Sequence, residues 1–93
     1  MPYIKQNRRE HYDVELIQLG NRMEDVSEGP DNLPKGDLTY ILYYIAQEYI
    51  EQSRPSYTSI STAISCLTDA AEELRRRHLN PYEDKKREEN GDV

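Results

Sequence analysis

Apolar residues recur at alternating spacings of four and three between positions 60 and 78. The series runs Ile60, Ile64, Leu67, Ala71, Leu74 and His78. This spacing matches one face of an α-helix and no face of a β-strand. We therefore predict a helix over residues 57–79, capped by Ser56 or Thr58, with its apolar face turned toward the core.

Two earlier segments also have helical spacing. The first, residues 7–26, begins at Asn7 and has Glu10 at the capping-box position. The second, residues 37–53, begins at Asp37 and ends where the proline at position 55 disfavours helical backbone in the preceding residue. Between them, residues 27–36 hold two prolines and two glycines, which predicts a mobile loop.

A short fourth helix is predicted over residues 81–89. Asn80 offers a cap, Pro81 suits a first helical turn, and Glu83 stands at the capping-box position. This helix is either kinked from the third one or separate from it. With no segment of strand character, the fold class is all-α, a small helical bundle of three main helices plus a short C-terminal helix.

The apolar core available to such a bundle is thin. The chain has 93 residues, no Phe, no Trp and eight Tyr, which suffices for a single domain over residues 1–93. Small domains of this kind gain stability from oligomerisation, and we expect a homo-oligomer. The second predicted helix carries an apolar face beyond the one that its core stripe, including Tyr49, needs. We assign that face to the oligomer interface, through Tyr40, Tyr43, Ala46 and Ile50.

Charge and cysteine content exclude several classes of function. The net charge is −6, which disfavours general nucleic-acid binding because phosphates are repelled. The longest apolar stretch is too short to span a bilayer, and the start of the chain lacks a signal-peptide core. Cys66 is the only cysteine, so we expect no disulfide, no zinc site, no cofactor, and a cytoplasmic location. We predict that Cys66 itself is a small buried residue.

Catalytic groups in a recognisable arrangement are missing from the sequence. His11 and His78 have neither a nucleophile nor further metal ligands at a suitable spacing, so we predict that the protein is not an enzyme. The run of residues 75–77, three arginines, has two interpretations. It either stabilises the C-terminal end of a helix or contributes cations to an anion site.

The two ends of the chain carry the most specific motifs. They are MPYIK at residues 1–5, NPYEDKK at 80–86 and ENGDV at 89–93, with YTSI at 57–60 between them. Together they resemble a small domain of unknown function associated with bacteriophages and prophages. The resemblance implies a short phage protein acting in the host bacterial cytoplasm, and it assigns no role to any residue.

In size and helicity, the chain is similar to compact helical oligomers that sequester nucleotide immune signals of the host. That similarity implies a non-catalytic protein with a small phosphorylated nucleotide ligand in a pocket between subunits. Tyrosine rings can stack on a base while cations hold a phosphate. The residues expected to form this pocket are Tyr3, Lys5, Arg8, Arg76, Tyr82, Lys85 and Lys86.

A protein-interaction module is the alternative hypothesis. In this interpretation the exposed face around Tyr43 and Ile50 binds a host protein and inhibits or regulates it, while the acidic surface steers a basic partner.

Overall fold

A computed structural model describes residues 4–27 and 33–91, and within those ranges every regular element is helical. The all-α class is therefore confirmed. The predicted loop 27–36 lies mostly outside the described residues. The elements are α1 (Gln6–Arg9), α2 (Asp13–Asp25), α3 (Lys35–Gln52), α4 (Tyr57–Leu74), a π-helical turn (Arg75–Leu79) and α5 (Asn80–Asn90).

The predicted first helix, 7–26, is divided in two. The backbone N–H of His11 donates to the Arg8 carbonyl, and that of Tyr12 donates to Arg9, so the chain tightens into a turn after α1. Asn7 lies inside α1 and caps nothing. Asp13 and Glu15 occupy the first turn of α2, where negative charge is favourable to the helix dipole. The acidic pair thus marks the start of the longer helix better than Asn7 does.

The helix α3 begins at Lys35, two residues before the predicted start. Pro34 is its N-cap, and Asp37 lies in the first turn instead of capping. The helix ends at Gln52, close to the predicted end at residue 53. Arg54 follows with a φ of 67°, a left-handed conformation that reverses the direction of the chain.

Ser56 starts α4, as predicted, through a reciprocal capping box. Its hydroxyl accepts from the Ser59 N–H at 3.1 Å, and the Ser59 hydroxyl accepts from the Ser56 N–H at 3.0 Å. From this corner α4 runs back along α3, the main helix-to-helix packing of the described chain. Ser59 and Ala63 are its two buried residues, each 5% exposed. Small side chains let the two helix backbones approach closely.

The expected burial of the apolar face of α4 is wrong for this subunit. Ile60, Ile64, Leu67 and Leu74 are all exposed, because α4 meets α3 through Ser59 and Ala63, roughly a quarter turn away. Cys66 and Tyr49, both predicted to be buried, are exposed as well.

The helix does not stop before Pro81. Residues Leu79 and Asn80 keep helical backbone angles, and the Asn80 N–H donates to the Arg75 carbonyl five residues back. Proline lacks an N–H and collides with the carbonyl four residues earlier, and the wider π turn accommodates both defects. The predicted helices 57–79 and 81–89 are thus joined, and Asn80 is not a cap. Gly91, at a φ of 84°, follows the last residue of α5.

The subunit is open. Its radius of gyration is 16.7 Å, against about 12 Å for a globular chain of this length. Among residues 4–27 and 33–91, Ala63 and Ser59 alone are buried. None of the helices in those ranges combines the length and apolar character that crossing a bilayer requires.

Candidate functional site

The N-terminal part of the predicted pocket lies around α1. Tyr3 lies outside the described residues. Lys5 precedes α1, and Arg8 belongs to its last turn, where a cation is favourable to the helix dipole. Both are exposed. Their neighbour Arg9 donates from Nε to the Ile4 carbonyl at 3.1 Å, which ties the chain before α1 to the helix.

The arginine run lies on the π turn, and two of its members share one carboxylate. Arg76 binds Glu73, and Arg77 Nε donates to the same Glu73 oxygen at 2.7 Å. Glu73 is mostly covered, since its side chain is 13% exposed. A carboxylate held between two guanidinium groups neutralises part of the run. This geometry favours the helix-stabilising interpretation of residues 75–77 for Arg76 and Arg77.

A shallow groove of about 480 Å³ crosses the π turn. Its lining is almost wholly apolar and consists of Ala71, Leu74, Arg75, His78, Leu79 and Tyr82. At its C-terminal end the Lys86 ammonium stands 5.7 Å from the centroid of the Tyr82 ring, within the range of a cation–π contact. Lys86 Nζ also lies 3.4 Å from Glu89 Oε2. Lys85 is exposed nearby on α5.

The structure therefore brings together part of the predicted pocket. Tyr82 and Lys86 are in contact, and Arg76 and Lys85 belong to the same stretch of helix. The segments α1 and α5 are not among the helix pairs of the described chain that pack over several residues. Lys5 and Arg8 would thus have to meet the C-terminal group across a subunit boundary, as the hypothesis of a shared pocket requires.

The predicted interface face on α3 is divided between exposed and half-buried residues. Tyr40 and Tyr43 are 67% and 64% exposed, whereas Ala46 and Ile50 are half-buried. The Tyr40 ring lies 6.5 Å from that of Tyr44. Two adjoining apolar grooves run beside these rings, of about 370 and 360 Å³. They are lined by residues of both α2 and α3, among them Leu19, Met23, Ile41 and Ile45.

Of the six residues that line the groove at the π turn, Tyr82 alone belongs to the pocket predicted from the sequence; Ala71, Leu74, Arg75, His78 and Leu79 do not. The apolar spacing places His78 in line with Leu74, but the widened π turn is what adds Leu79 and Tyr82 to the same surface. No group of three His, Cys, Asp or Glu side chains within residues 4–27 and 33–91 is arranged to hold a metal ion.

Comparison with known proteins gives one result that covers the whole chain. No curated protein and no solved structure matches it significantly. The family described as "Domain of unknown function (DUF6899)" matches residues 1–93. A match of this extent includes both terminal motifs and all the helices described above. The chain therefore belongs to the DUF6899 family, a domain of unknown function.

Proposed function

We propose that the protein is a non-catalytic, phage-type binding protein that sequesters a small phosphorylated ligand of the nucleotide class. The observation that carries this proposal is the apolar groove at the π turn, which Tyr82 lines and where the Lys86 ammonium stands over one face of the Tyr82 ring. A ring can stack on a base, and an ammonium beside it can bind the attached phosphate.

The groove has the size and the lining that a small ligand needs. Its volume of about 480 Å³ falls within the usual range for small-molecule pockets. Leu74 and Leu79 provide an apolar floor, and Arg75 lines the edge through the aliphatic part of its side chain. Lys85, on the same stretch of helix, adds positive potential even though the chain is acidic overall, whereas the charge of Arg76 is partly neutralised by Glu73.

A single subunit leaves this groove open on one side. We propose that a second subunit closes the groove. We further propose that Lys5 and Arg8, near the N-terminus of another copy, approach the bound phosphate. In this arrangement the pocket lies between subunits, and a ligand held there is withdrawn from the host bacterial cytoplasm without being chemically changed.

Calorimetry against cyclic dinucleotides and cyclic ADP-ribose isomers tests the proposal. We expect one member of the panel to bind and to be recovered intact after the protein is denatured. Tyr82→Ala should weaken binding about tenfold or more, because stacking on one ring contributes about 1–3 kcal/mol, and Tyr82→Phe should retain most of it. Lys86→Gln should weaken binding severalfold, with Lys35→Gln as the matched control.

Two outcomes contradict this function. Absence of binding across the whole panel would contradict a ligand of the nucleotide class. Recovery of a cleaved ligand would show that the protein is an enzyme and does not simply sequester the ligand. Loss of binding in Lys35→Gln equal to that in Lys86→Gln would show that overall charge, and not the groove, sets the affinity.

The exposed tyrosines of α3 favour a second candidate, a protein-interaction module that regulates a host protein. Tyr40 and Tyr44 form an aromatic pair beside an apolar groove, and rings of this kind are enriched at protein interfaces. Pull-down of a host protein by the natural chain, lost in Tyr40→Asp and kept in Lys86→Gln, supports this candidate. The reverse pattern of losses contradicts it.

A further inference from the structure

The apolar face of α4 is covered by no other described helix. We call this face the α4 stripe and define it as Ile60, Ile64, Leu67, Ala71, Leu74 and His78. All six are exposed, and Ile64 and Leu74 are about 60% exposed (59% and 61%). The adjacent face of the same helix already packs on α3 through Ser59 and Ala63. The stripe is thus available along its whole length.

The surface area of the subunit indicates how large a partner is missing. The chain exposes 8338 Å², whereas a folded monomer of 11.0 kDa exposes about 5,600 Å². The excess, about 2,700 Å², is slightly more than the roughly 1,000–2,500 Å² that one subunit covers in a large obligate dimer interface. An unrelated partner is not needed to explain it, because a second copy of the chain offers the same uncovered face.

The spacing of the α4 stripe suits a helix pair. Alternating steps of four and three are the a and d positions of a coiled coil. The stripe is also symmetric about position 69, so an antiparallel copy places Ile64 opposite the partner's Leu74 and Leu67 opposite the partner's Ala71. Leu67 then meets the small Ala71, while Ile64 and Leu74 meet as two large side chains. A parallel copy would set Ala71 against Ala71 and leave a gap.

Charge favours the same direction. Residues 55–68 carry no charged side chain, whereas residues 69–77 include three acidic residues and the three arginines. In a parallel pair the two arginine runs, whose charge Glu73 neutralises only in part, would lie beside each other. An antiparallel pair places each run beside the uncharged half of its neighbour, which avoids that repulsion.

The π turn adds one more pair of opposed residues to the antiparallel arrangement. Tyr82 lies thirteen residues after position 69, and Tyr57 lies twelve residues before it. The extra residue in the π turn makes up this difference and keeps Tyr82 on the same surface as Leu74 and His78. In an antiparallel pair, Tyr82 therefore lies level with the partner's Tyr57, whose residue is 87% exposed in the single subunit.

From these observations we propose that two copies of the chain form an antiparallel dimer through the α4 stripe. This interface differs from the α3 face assigned from the sequence. This proposal goes beyond the proposed function, because the partner's stripe would lie against Ala71, Leu74 and His78, three of the six residues that line the groove. The dimer itself needs no ligand, and a ligand seated on those residues would compete with it.

Cysteine cross-linking of the full chain tests the direction of pairing. In a Cys66→Ser background, Ile64→Cys and Leu74→Cys are prepared separately, mixed and oxidised. We expect the mixed disulfide to exceed either self-linked dimer severalfold, because positions 64 and 74 are opposite each other only in the antiparallel arrangement. Glu72→Cys, on the same helix but off the stripe, is the control variant and should form no disulfide-linked dimer. Predominantly self-linked dimers overturn the proposal.

Sedimentation without added ligand tests the interface itself. The natural chain should sediment at twice its 11.0 kDa mass at micromolar concentration. Ile64→Asp should shift it to the monomer, and Tyr43→Asp should leave it dimeric. A natural chain that sediments as a monomer, or a dimer that dissociates in Tyr43→Asp but not in Ile64→Asp, overturns the proposal. Neither result depends on whether a nucleotide binds, so the two proposals fail separately.

Discussion

Two prolines follow helical segments in this chain, and the backbone treats them differently. Before Pro55, Arg54 adopts a φ of 67° and the chain turns back on itself. Before Pro81, Asn80 keeps helical angles of −62° and −46°, and the helix continues into α5. Proline therefore accompanies a corner of the chain at position 55 and a slightly widened helical turn at position 81.

The two sites differ in the hydrogen-bond partners that neighbouring residues supply to the backbone. After Pro55, Ser56 and Ser59 supply a reciprocal capping box, so a new helix can start at once. Around Pro81 no side chain caps the backbone, and the Asn80 N–H finds a helical acceptor in Arg75. In this chain the helix ends before the proline that has an alternative set of hydrogen bonds beside it, and it continues through the proline that has none.

Replacing Pro81 should give the largest effect. In Pro81→Ala the helix regains an N–H donor and the π turn can close to ordinary α geometry. We expect the amides of α5 to become more protected, by about 1–3 kcal/mol in local opening free energy, because proline is unfavourable inside a helix by about 3 kcal/mol. Hydrogen exchange measures this. Pro55→Ala should give no such gain, and equal protection in both variants would contradict the comparison.

The hairpin corner should be sensitive to loss of a single hydroxyl. Ser59 Oγ donates within the corner, lying 3.1 Å from the Arg54 carbonyl, and it accepts from the Ser56 N–H. Ser59→Ala should lower the free energy of unfolding by about 1–2 kcal/mol, since two part-buried hydrogen bonds of the corner are lost. Chemical denaturation followed by circular dichroism measures the loss.

Thr68 provides the matched control for Ser59. Its hydroxyl also donates to a backbone carbonyl, that of Ile64 at 3.1 Å, but it is exposed. Thr68→Ala should change stability by about 0.5 kcal/mol or less. Losses of similar size in both variants would show that the corner is no more constrained than the open face of α4.

Glycine at position 54 should stabilise the corner by a smaller amount. Arg54 holds a positive φ that is strained for a residue with a Cβ, and glycine adopts it freely. Arg54→Gly should raise the free energy of unfolding by about 0.5–1 kcal/mol. Gln52→Gly, two residues earlier within α3, should lower it by about as much. A loss of stability in Arg54→Gly would argue that the strain is not significant.

Periodicity and capping chemistry could predict much of the fold. The helices α3 and α4 follow directly from apolar spacing, and Ser56 was identifiable as a cap because its side chain suits the role. The end of α3 follows from Pro55. Of the candidate pocket, the pairing of Tyr82 with Lys86 follows from their spacing of four on a helix.

Other features depend on packing and hydrogen-bond alternatives that a single sequence does not resolve. Which face of α4 packs on α3 is decided by how closely two backbones can approach, and Ser59 and Ala63 allow a closer approach than Ile64 or Leu67. The apolar spacing of α4 therefore predicted the wrong packing face. The π turn depends on a competition between two hydrogen-bond patterns around Pro81, which residue propensities alone do not resolve.

The exposure of the tyrosines has an optical consequence. All seven tyrosines within the described ranges are exposed, and the chain has no tryptophan. Tyr57 is 87% exposed, so unfolding of an isolated subunit would barely change the surroundings of that ring, whereas the other six, at 44–67%, would gain some exposure. Near-ultraviolet absorbance and emission would therefore change only in part. Assembly would change them strongly, because rings such as Tyr57 and Tyr82 would leave water. The Tyr57 ring thus reports on the association of copies and scarcely at all on the folding of one.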